Sequence, residues 1–409
     1  MSETAGPSPP RPFLVWIDGS GMYNILSYGS MVSDSVRMNA YADALRKVVT
    51  SDSVVLDIGT GFGFFAVLAC QLGARRVIAI EPDSIIEVAR KVAAANQCAD
   101  KIQFIRDVST NVSLNEPADV IISDLRGLLP WFEKHLPAII DARKRLLSPG
   151  GTLVPSRDMV WVALVESAAL YSPYSEPWCS KPQGVDLAAA RQFAVNLWKK
   201  GRKVLPSEFL GKPQLWASLD YAFVEDVNVS STVAWTLGRA GTAHGIMIWF
   251  DTELCDGIGF SNDPTQPQLI YGNAFFPFAA PVEVRPGESV TVDLRAILAE
   301  EDYVWVWKTK VSSGNPPRVR VELNQSTFFA CPLSREQVAT RSENYVASLG
   351  EDGIIDRTVL DLTDGKRTVA QISEQLRERF PARFSNLREA LAKVGELSAR
   401  YSRPGRSSV

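Results

Sequence analysis

The feature that most restricts the fold of this chain is a regular exchange of strand and helix between Ser53 and Asp124. Short, nearly unbroken apolar runs (SVVLDIG, RVIAIEP, KIQFIRD, ADVIISD) are separated in the first half by FFAVLACQLG and IIEVARKVAAANQ, which carry helical spacing. A strand that is apolar on both faces must be covered on both sides, and helices returning between strands make those strands parallel. The expectation is an α/β, Rossmann-like domain over residues 13–155. Gly73 closes its first helix, and Pro149, Gly150 and Gly151 turn the chain into a further strand. Upstream, MVSDSVRMNAYADALRKVV reads as one helix with Ser33 as its cap.

Beyond about Pro155 the grammar changes. WVALVE, LWASLDYAFV, STVAWTL, HGIMIWFDTEL, DYVWVWKTKV and RVRVELN read as strands joined by turns, an antiparallel barrel or sandwich over 156–333. One segment, DLAAARQFAVNLWKKG, has the pattern of an amphipathic helix projecting from it. Residues 334–409 read as a small α-rich module with a short strand, a turn and two helices. Residues 1–12, polar and proline-rich, read as a disordered lead-in without the apolar core of a signal peptide.

Composition removes several function classes. The net charge of -3 gives no global positive field, so a nucleic-acid substrate would need a local basic patch. Five scattered cysteines without a CxxC pair make neither a disulfide framework nor a zinc site, and His135 and His244 are the only histidines. No metal is therefore expected. No apolar run is long enough for a bilayer, and a reducing, cytoplasmic setting is the default expectation.

The chemistry begins at Asp57-Ile58-Gly59-Thr60-Gly61-Phe62-Gly63, directly after a strand. Glycines at alternate positions let the backbone turn sharply and approach a ligand without a Cβ in the way. Asp57 can receive an ammonium group, whereas a loop built for phosphate has no use for a carboxylate there. Glu81 ends the next strand, about twenty residues on, where a carboxylate accepts ribose hydroxyls. On the residues alone, binding of a nicotinamide dinucleotide stays open, because it shares the ribose carboxylate.

The stretch from Met31 to Glu166 resembles the catalytic core of the protein arginine methyltransferases. LDIGTGFG is similar to that family's first motif, VIAIEPD to the strand after it, and MVSDSVRMNAY to its cofactor-covering helix. The resemblance implies S-adenosylmethionine as cofactor, held by Asp57, Gly59, Gly61 and Glu81, with Arg37 meeting the methionine carboxylate. It sets Val108 and Ser109 near the adenine, and Tyr28 and Met31 over the site. It also implies a class I methyltransferase domain followed by a β-barrel, with a helical arm at about 173–212 that makes a homodimer.

On the acceptor side, Ser123-Asp124-Leu125-Arg126-Gly127-Leu128-Leu129-Pro130-Trp131-Phe132-Glu133 is similar to the family's hairpin with two glutamates, matched by Asp124 and Glu133. A guanidinium is planar, permanently charged and rich in donors, so paired carboxylates suit it. The sequence departs from the family twice: Asp124 is one methylene shorter, and Leu269-Ile270-Tyr271 replaces a Thr-His-Trp loop. His135, near the acidic loop, reads as a helix-surface histidine, and His244 as structural.

TVLDLTDGKRTVAQISEQLRERF resembles the winged-helix-like domains of the PqqD type, which implies a leader peptide bound at 334–409. The function expected is S-adenosylmethionine-dependent methylation of an arginine guanidinium in a peptide, protein or free amino acid. Another amine or small metabolite as acceptor, and a non-catalytic peptide-binding scaffold, are the alternatives.

Overall fold

The computed structural model of the chain describes residues 25–332, 339–340 and 342–402. The lead-in expected at 1–12 lies outside the described residues, as do 13–24, 333–338, 341 and 403–409. The chain divides after Pro332 into two compact units.

The first unit opens with α1 (Ile25–Ser33) and α2 (Ser35–Val48) where one helix is expected. Asp34 separates them. Its carboxylate accepts the Arg37 amide at 3.1 Å, so Asp34 rather than Ser33 caps α2. An aspartate satisfies a first-turn amide that has no partner inside the helix, which favours a fresh start there.

The alternating segment then forms β1 (Val54–Ile58), α3 (Phe64–Gln71), β2 (Arg76–Ile80), α4 (Ile86–Ala95), β3 (Ile102–Ile105), β4 (Ala118–Ser123), α5 (His135–Arg145) and β5 (Leu147–Val154). The strands make one sheet in the order β3-β2-β1-β4-β5, with every pairing parallel. β1 is buried along its whole length, as its unbroken apolar run requires. The chain leaves β1 toward β2 and β3 on one side and reaches β4 and β5 on the other. Connections therefore diverge between the ends of β1 and β4, where open α/β sheets leave a crevice for ligands.

Two antiparallel sheets follow and form the barrel-like part. The first has β7 (Lys199–Lys200), β12 (Ala274–Val284), β10 (Gly241–Cys255), β6 (Arg157–Val165) and β8 (Gln214–Asp220) in that order, with β11 (Ile258–Ser261) paired to β10. The second runs β15 (Arg318–Ser326), β14 (Asp302–Ser313), β13 (Ser289–Ala299), β9 (Val229–Thr236). Leu56, Ile121, Trp216, Phe276 and Trp305 belong to one continuous core, so the α/β and β parts are a single packed body. Trp131, from the segment after β4, is 2% exposed and meets Trp216 at 5.0 Å and Trp305 at 6.4 Å. Truncating a ring buried in this way costs about 3–5 kcal/mol, so the barrel pins the loop that carries Asp124.

Between β6 and β7 the chain forms α6 (Ala168–Tyr171), α7 (Glu176–Cys179) and α8 (Ala188–Ala194). The single amphipathic helix expected here is cut to α8. Trp198 stacks on Phe276 at 5.5 Å, and Lys199 and Lys200 pair with β12, drawing the chain back into the sheet.

The second unit holds α9 (Glu351–Leu362), α10 (Val369–Arg379) and α11 (Leu387–Tyr401). The short strand expected at its start is helix, because Ile355 and Val359 share a face and bury against Ile372, Leu376 and Val394. Thr368 and Gln371 cap α10 reciprocally, and Asn386 caps α11.

Candidate active site

The glycine loop leaves β1 at the divergence point and folds as a cradle. Gly59 and Gly61 have φ of +72° and +55°. A Cβ on Gly59 would stand 2.4 Å from Leu125, and one on Gly61 would stand 2.7 Å from the Tyr28 ring. Only glycine combines that backbone with that closeness. Tyr28, on α1, lies over Gly61 and meets Phe62 edge-on at 5.5 Å, while Met31 is half-buried on the same helix.

Two buried carboxylates border the cradle. Glu81, just past β2, accepts the Gly61 amide at 2.9 Å and the Asp83 amide at 3.0 Å. Each oxygen keeps acceptor capacity for a hydroxyl, and burial raises its pKa. Asp57, in β1, accepts the Thr60 hydroxyl at 2.6 Å. Burial pushes Asp57 up to about 7, with the Thr60 hydroxyl and the Ala66 amide opposing. A cradle bordered by two acceptors fits a ligand bearing hydroxyls and an ammonium, and repels a phosphate. At the end of β3, Val108 is 44% exposed with its amide tied to the Asp107 carboxylate at 2.7 Å, and Ser109 is buried.

Across the divergence point, Asp124 follows β4 and joins a buried chain of charges. Arg37 donates to its Oδ2 from Nε at 2.9 Å and Nη2 at 2.5 Å, Tyr271 from its hydroxyl at 2.5 Å, and Arg126 reaches Oδ1 at 3.3 Å. Arg126 continues to Asp158 at 2.7 Å, Thr252 at 2.6 Å and the Tyr41 hydroxyl at 2.6 Å. Asp158 accepts from Tyr221 at 2.6 Å, and the Tyr221 oxygen lies 3.2 Å from His135 Nε2. Burial disfavours the Asp124 charge, but Arg37 and Arg126 together outweigh it and hold the carboxyl at about 2.

His135 is thus a correction: it is buried, not on a helix surface. Burial, and then Arg126, push it down to about 3, so it stays neutral and is a poor proton acceptor. His244 accepts the Ser167 amide at Nδ1, a structural contact. Glu133 has φ +42° and an exposed side chain, and its amide donates to Asp302. Partial desolvation, then the carboxylates of Asp302 and Glu301, raise its pKa. Among the described residues no hydrogen bond or ion pair joins Glu133 to Asp124.

The sequence alone singles out none of Arg126, Asp158, Tyr221 and Tyr41, and marks Tyr271 only as part of the Leu269-Ile270-Tyr271 departure, with no partner assigned to it. Arg126 carried one signal, a lone charge in the apolar run Leu128-Leu129-Pro130-Trp131 and its approach. Tyr41 and Asp158 are ordinary helix and strand positions, and Tyr221 and Tyr271 ordinary turn positions, until the fold assembles them. Among the described residues no group of three or more histidine, cysteine or carboxylate side chains is placed to hold a metal ion.

A parallel sheet of this order, with a glycine cradle and a buried carboxylate at its divergence point, defines a class I methyltransferase using S-adenosylmethionine. A family model for ribosomal protein L11 methyltransferase (PrmA) matches residues 41–156. Protein arginine N-methyltransferase 6 of Danio rerio is 32% identical over 240 residues, covering 56% of this chain and 68% of the relative. The Xenopus tropicalis protein of the same name is 28% identical over 309 residues, covering 72% and 87%. Among solved structures, the Trypanosoma brucei PRMT1 enzyme-prozyme heterotetrameric complex with AdoHcy superposes with a TM-score of 0.65 at 22% identity, covering 73% of this chain and 97% of that one. The chain belongs to the protein arginine N-methyltransferase family.

Proposed function

We propose that this chain transfers a methyl group from S-adenosylmethionine to a guanidinium nitrogen of arginine, in a peptide, a protein or the free amino acid. The observation that carries this reading is Asp124, a buried carboxylate kept ionised beside the cofactor cradle and already ligated by the guanidinium groups of Arg37 and Arg126. When bound, S-adenosylmethionine supplies an electrophilic methyl group on a sulfonium sulfur. Glu81 accepts the ribose hydroxyls and Asp57 receives the ammonium. Arg37 spends Nε and Nη2 on Asp124, so Nη1, set against the Met38 sulfur, is the donor left for the methionine carboxylate. Tyr28 and Met31 cover the cradle, and Val108 and Ser109 flank the adenine.

Asp124 and Glu133 hold the acceptor guanidinium, drawing its charge toward the held nitrogens and leaving another to attack in line. The new N–CH3 bond replaces the S–CH3 bond, S-adenosylhomocysteine leaves, and the methylated nitrogen gives up one proton to solvent. Acceleration of this kind rests on placement, which is worth up to about 7–11 kcal/mol when geometry is well set. The exposed side chain of Glu133 favours a second reading, an acceptor that is a different amine held by Asp124 alone. Methyl-labelled S-adenosylmethionine, offered with free arginine, arginine-containing peptides and cell lysate, separates the two after acid hydrolysis. Label in methylarginine supports the first reading, and label in other products only supports the second.

The same proposal includes a homodimer formed through the arm, supported by the exposed Val185 and Leu205. It includes capture of a leader peptide by the C-terminal three-helix unit, in the manner of PqqD-type domains, supported by exposed apolar positions such as Leu360 and Val369. A cytoplasmic setting is supported by five free cysteines. No helix among the described residues is long and apolar enough to cross a membrane.

A further inference from the structure

Asp124 has few ways to fix its own direction, because the terminal torsion of an aspartate is broad and roughly two-fold. Its carboxylate takes the orientation its partners impose. Arg37 is one partner, but the proposed cofactor contact also draws on it. Tyr271 is different. Its hydroxyl donates to Asp124 Oδ2 at 2.5 Å and accepts from Arg37 Nε at 3.1 Å.

The ring behind that hydroxyl has no freedom to swing. Tyr271 stacks on Phe260 at 5.6 Å with planes 12° apart, and meets Phe250 edge-on at 5.5 Å. The loop that carries it is tied at both sides of residue 270. Asp34, the cap of α2, accepts the Ile270 amide at 2.7 Å, and Lys200 from β7 donates to the Ile270 carbonyl at 2.6 Å. On the opposite oxygen, Arg126 is anchored by Asp158, Thr252 and Tyr41. Asp124 therefore sits between a fixed hydroxyl and a fixed guanidinium.

We infer that Tyr271 is a positioning residue for the methyl transfer, its hydroxyl setting the direction in which Asp124 presents its carboxylate to the acceptor. The inference rests on the reading of Asp124 as the acceptor-side carboxylate. It gives Tyr271 a role through Asp124, and it accounts for the short side chain at position 124. A glutamate there would drive its carboxylate into the Tyr271 hydroxyl, whereas aspartate stops one hydrogen bond short of it.

The test is a cycle of Tyr271→Phe, Asp124→Glu and the double variant, with Asp124→Asn as reference. Steady-state kinetics use an arginine-containing peptide, and calorimetric binding of S-adenosylhomocysteine reports whether each variant keeps a working cofactor site. Tyr271→Phe is expected to lower kcat about ten- to a hundredfold, the loss of one charge-assisted hydrogen bond, while acceptor KM and S-adenosylhomocysteine affinity stay within about threefold. Asp124→Glu alone is expected to be poor, and in the Tyr271→Phe background to recover activity above either single variant. A Tyr271→Phe enzyme with unchanged kcat, or single losses that simply add in the double variant, overturns the positioning role. Full turnover in Asp124→Asn overturns it differently, by removing Asp124 from the acceptor site altogether.

Discussion

Arg37 and Asp124 form a buried, two-donor ion pair, with Nε at 2.9 Å and Nη2 at 2.5 Å from the same carboxylate oxygen. The pair joins α2, which follows the helix that carries Tyr28 over the glycine cradle, to the residue just past β4. One contact thus holds α2 in register with the end of β4. Arg37 is further enclosed by the rings of Phe65 at 5.3 Å and Tyr41 at 5.4 Å, which favour a cation over bulk water there.

Arg126 lies between two buried carboxylates, and Arg126→Met strands the charge of Asp158 while Asp124 keeps Arg37. A loss of about 3–5 kcal/mol is expected for breaking a buried pair of this kind. Pairing it with Asp158→Asn removes the stranded charge and returns part of the loss. Urea unfolding of the single and double variants measures both, and strictly additive losses would deny the coupling.

Asp57 titrates near 7 in the folded chain, raised by burial. With its carboxylate form proposed to receive the cofactor ammonium, S-adenosylmethionine affinity is expected to climb as pH rises from 6 to 8, with a proton released on binding. Stability of the ligand-free chain runs the opposite way. A carboxyl raised above its unfolded value contributes most at acid pH, and that contribution is lost as pH rises through about 7. Calorimetry in buffers of different ionisation enthalpy checks the proton, and Asp57→Asn should flatten the affinity profile.

Glu81→Ala removes the two proposed ribose acceptors and releases the Gly61 and Asp83 amides. S-adenosylhomocysteine affinity is expected to fall by at least about a hundredfold, each lost charged hydrogen bond counting for roughly 1.5–3 kcal/mol. Unchanged affinity would remove Glu81 from the site.

Glu133→Gln is expected to leave S-adenosylhomocysteine binding intact and to reduce methylarginine formation by about a hundredfold, since a neutral amide no longer balances the guanidinium. Because Glu133 has a raised pKa, wild-type turnover should increase with pH as it ionises, and the variant should lack that rise. Equal activity of the two proteins ends the two-carboxylate clamp.

The arm cannot be excised whole as a test of dimerisation. Val195, Trp198, Val204 and Leu210 are buried, and the Gly201 amide donates to the Asn273 carbonyl at 2.7 Å. Val185, 56% exposed, is the better probe. Val185→Asp is expected to give monomers in light scattering with stability changed by no more than about 0.5 kcal/mol, as for other surface substitutions. A dimer of undiminished mass would exclude this part of the arm from the interface.

The cradle was legible in the sequence because its parts are neighbours along the chain. Asp57, Gly59, Gly61 and Glu81 sit at strand ends whose spacing is fixed by strand and helix lengths, so reading the alternation places them together. Helix ends were less legible, since Asp34 and Ser33 are both competent caps and only the Ile270 amide, which also needs Asp34, distinguishes them. The pairing of Asp124 was decided by tertiary structure alone. Asp124 finds Arg37 87 residues away and Tyr271 147 residues away, and Arg126 finds Asp158 and Thr252 across the barrel. A local pattern says that a carboxylate ends β4, but it cannot say which buried cations will neutralise it. That choice belongs to the packing of α2 and the barrel against the sheet, because a charge removed from water must be paired by whatever the fold brings within hydrogen-bonding reach.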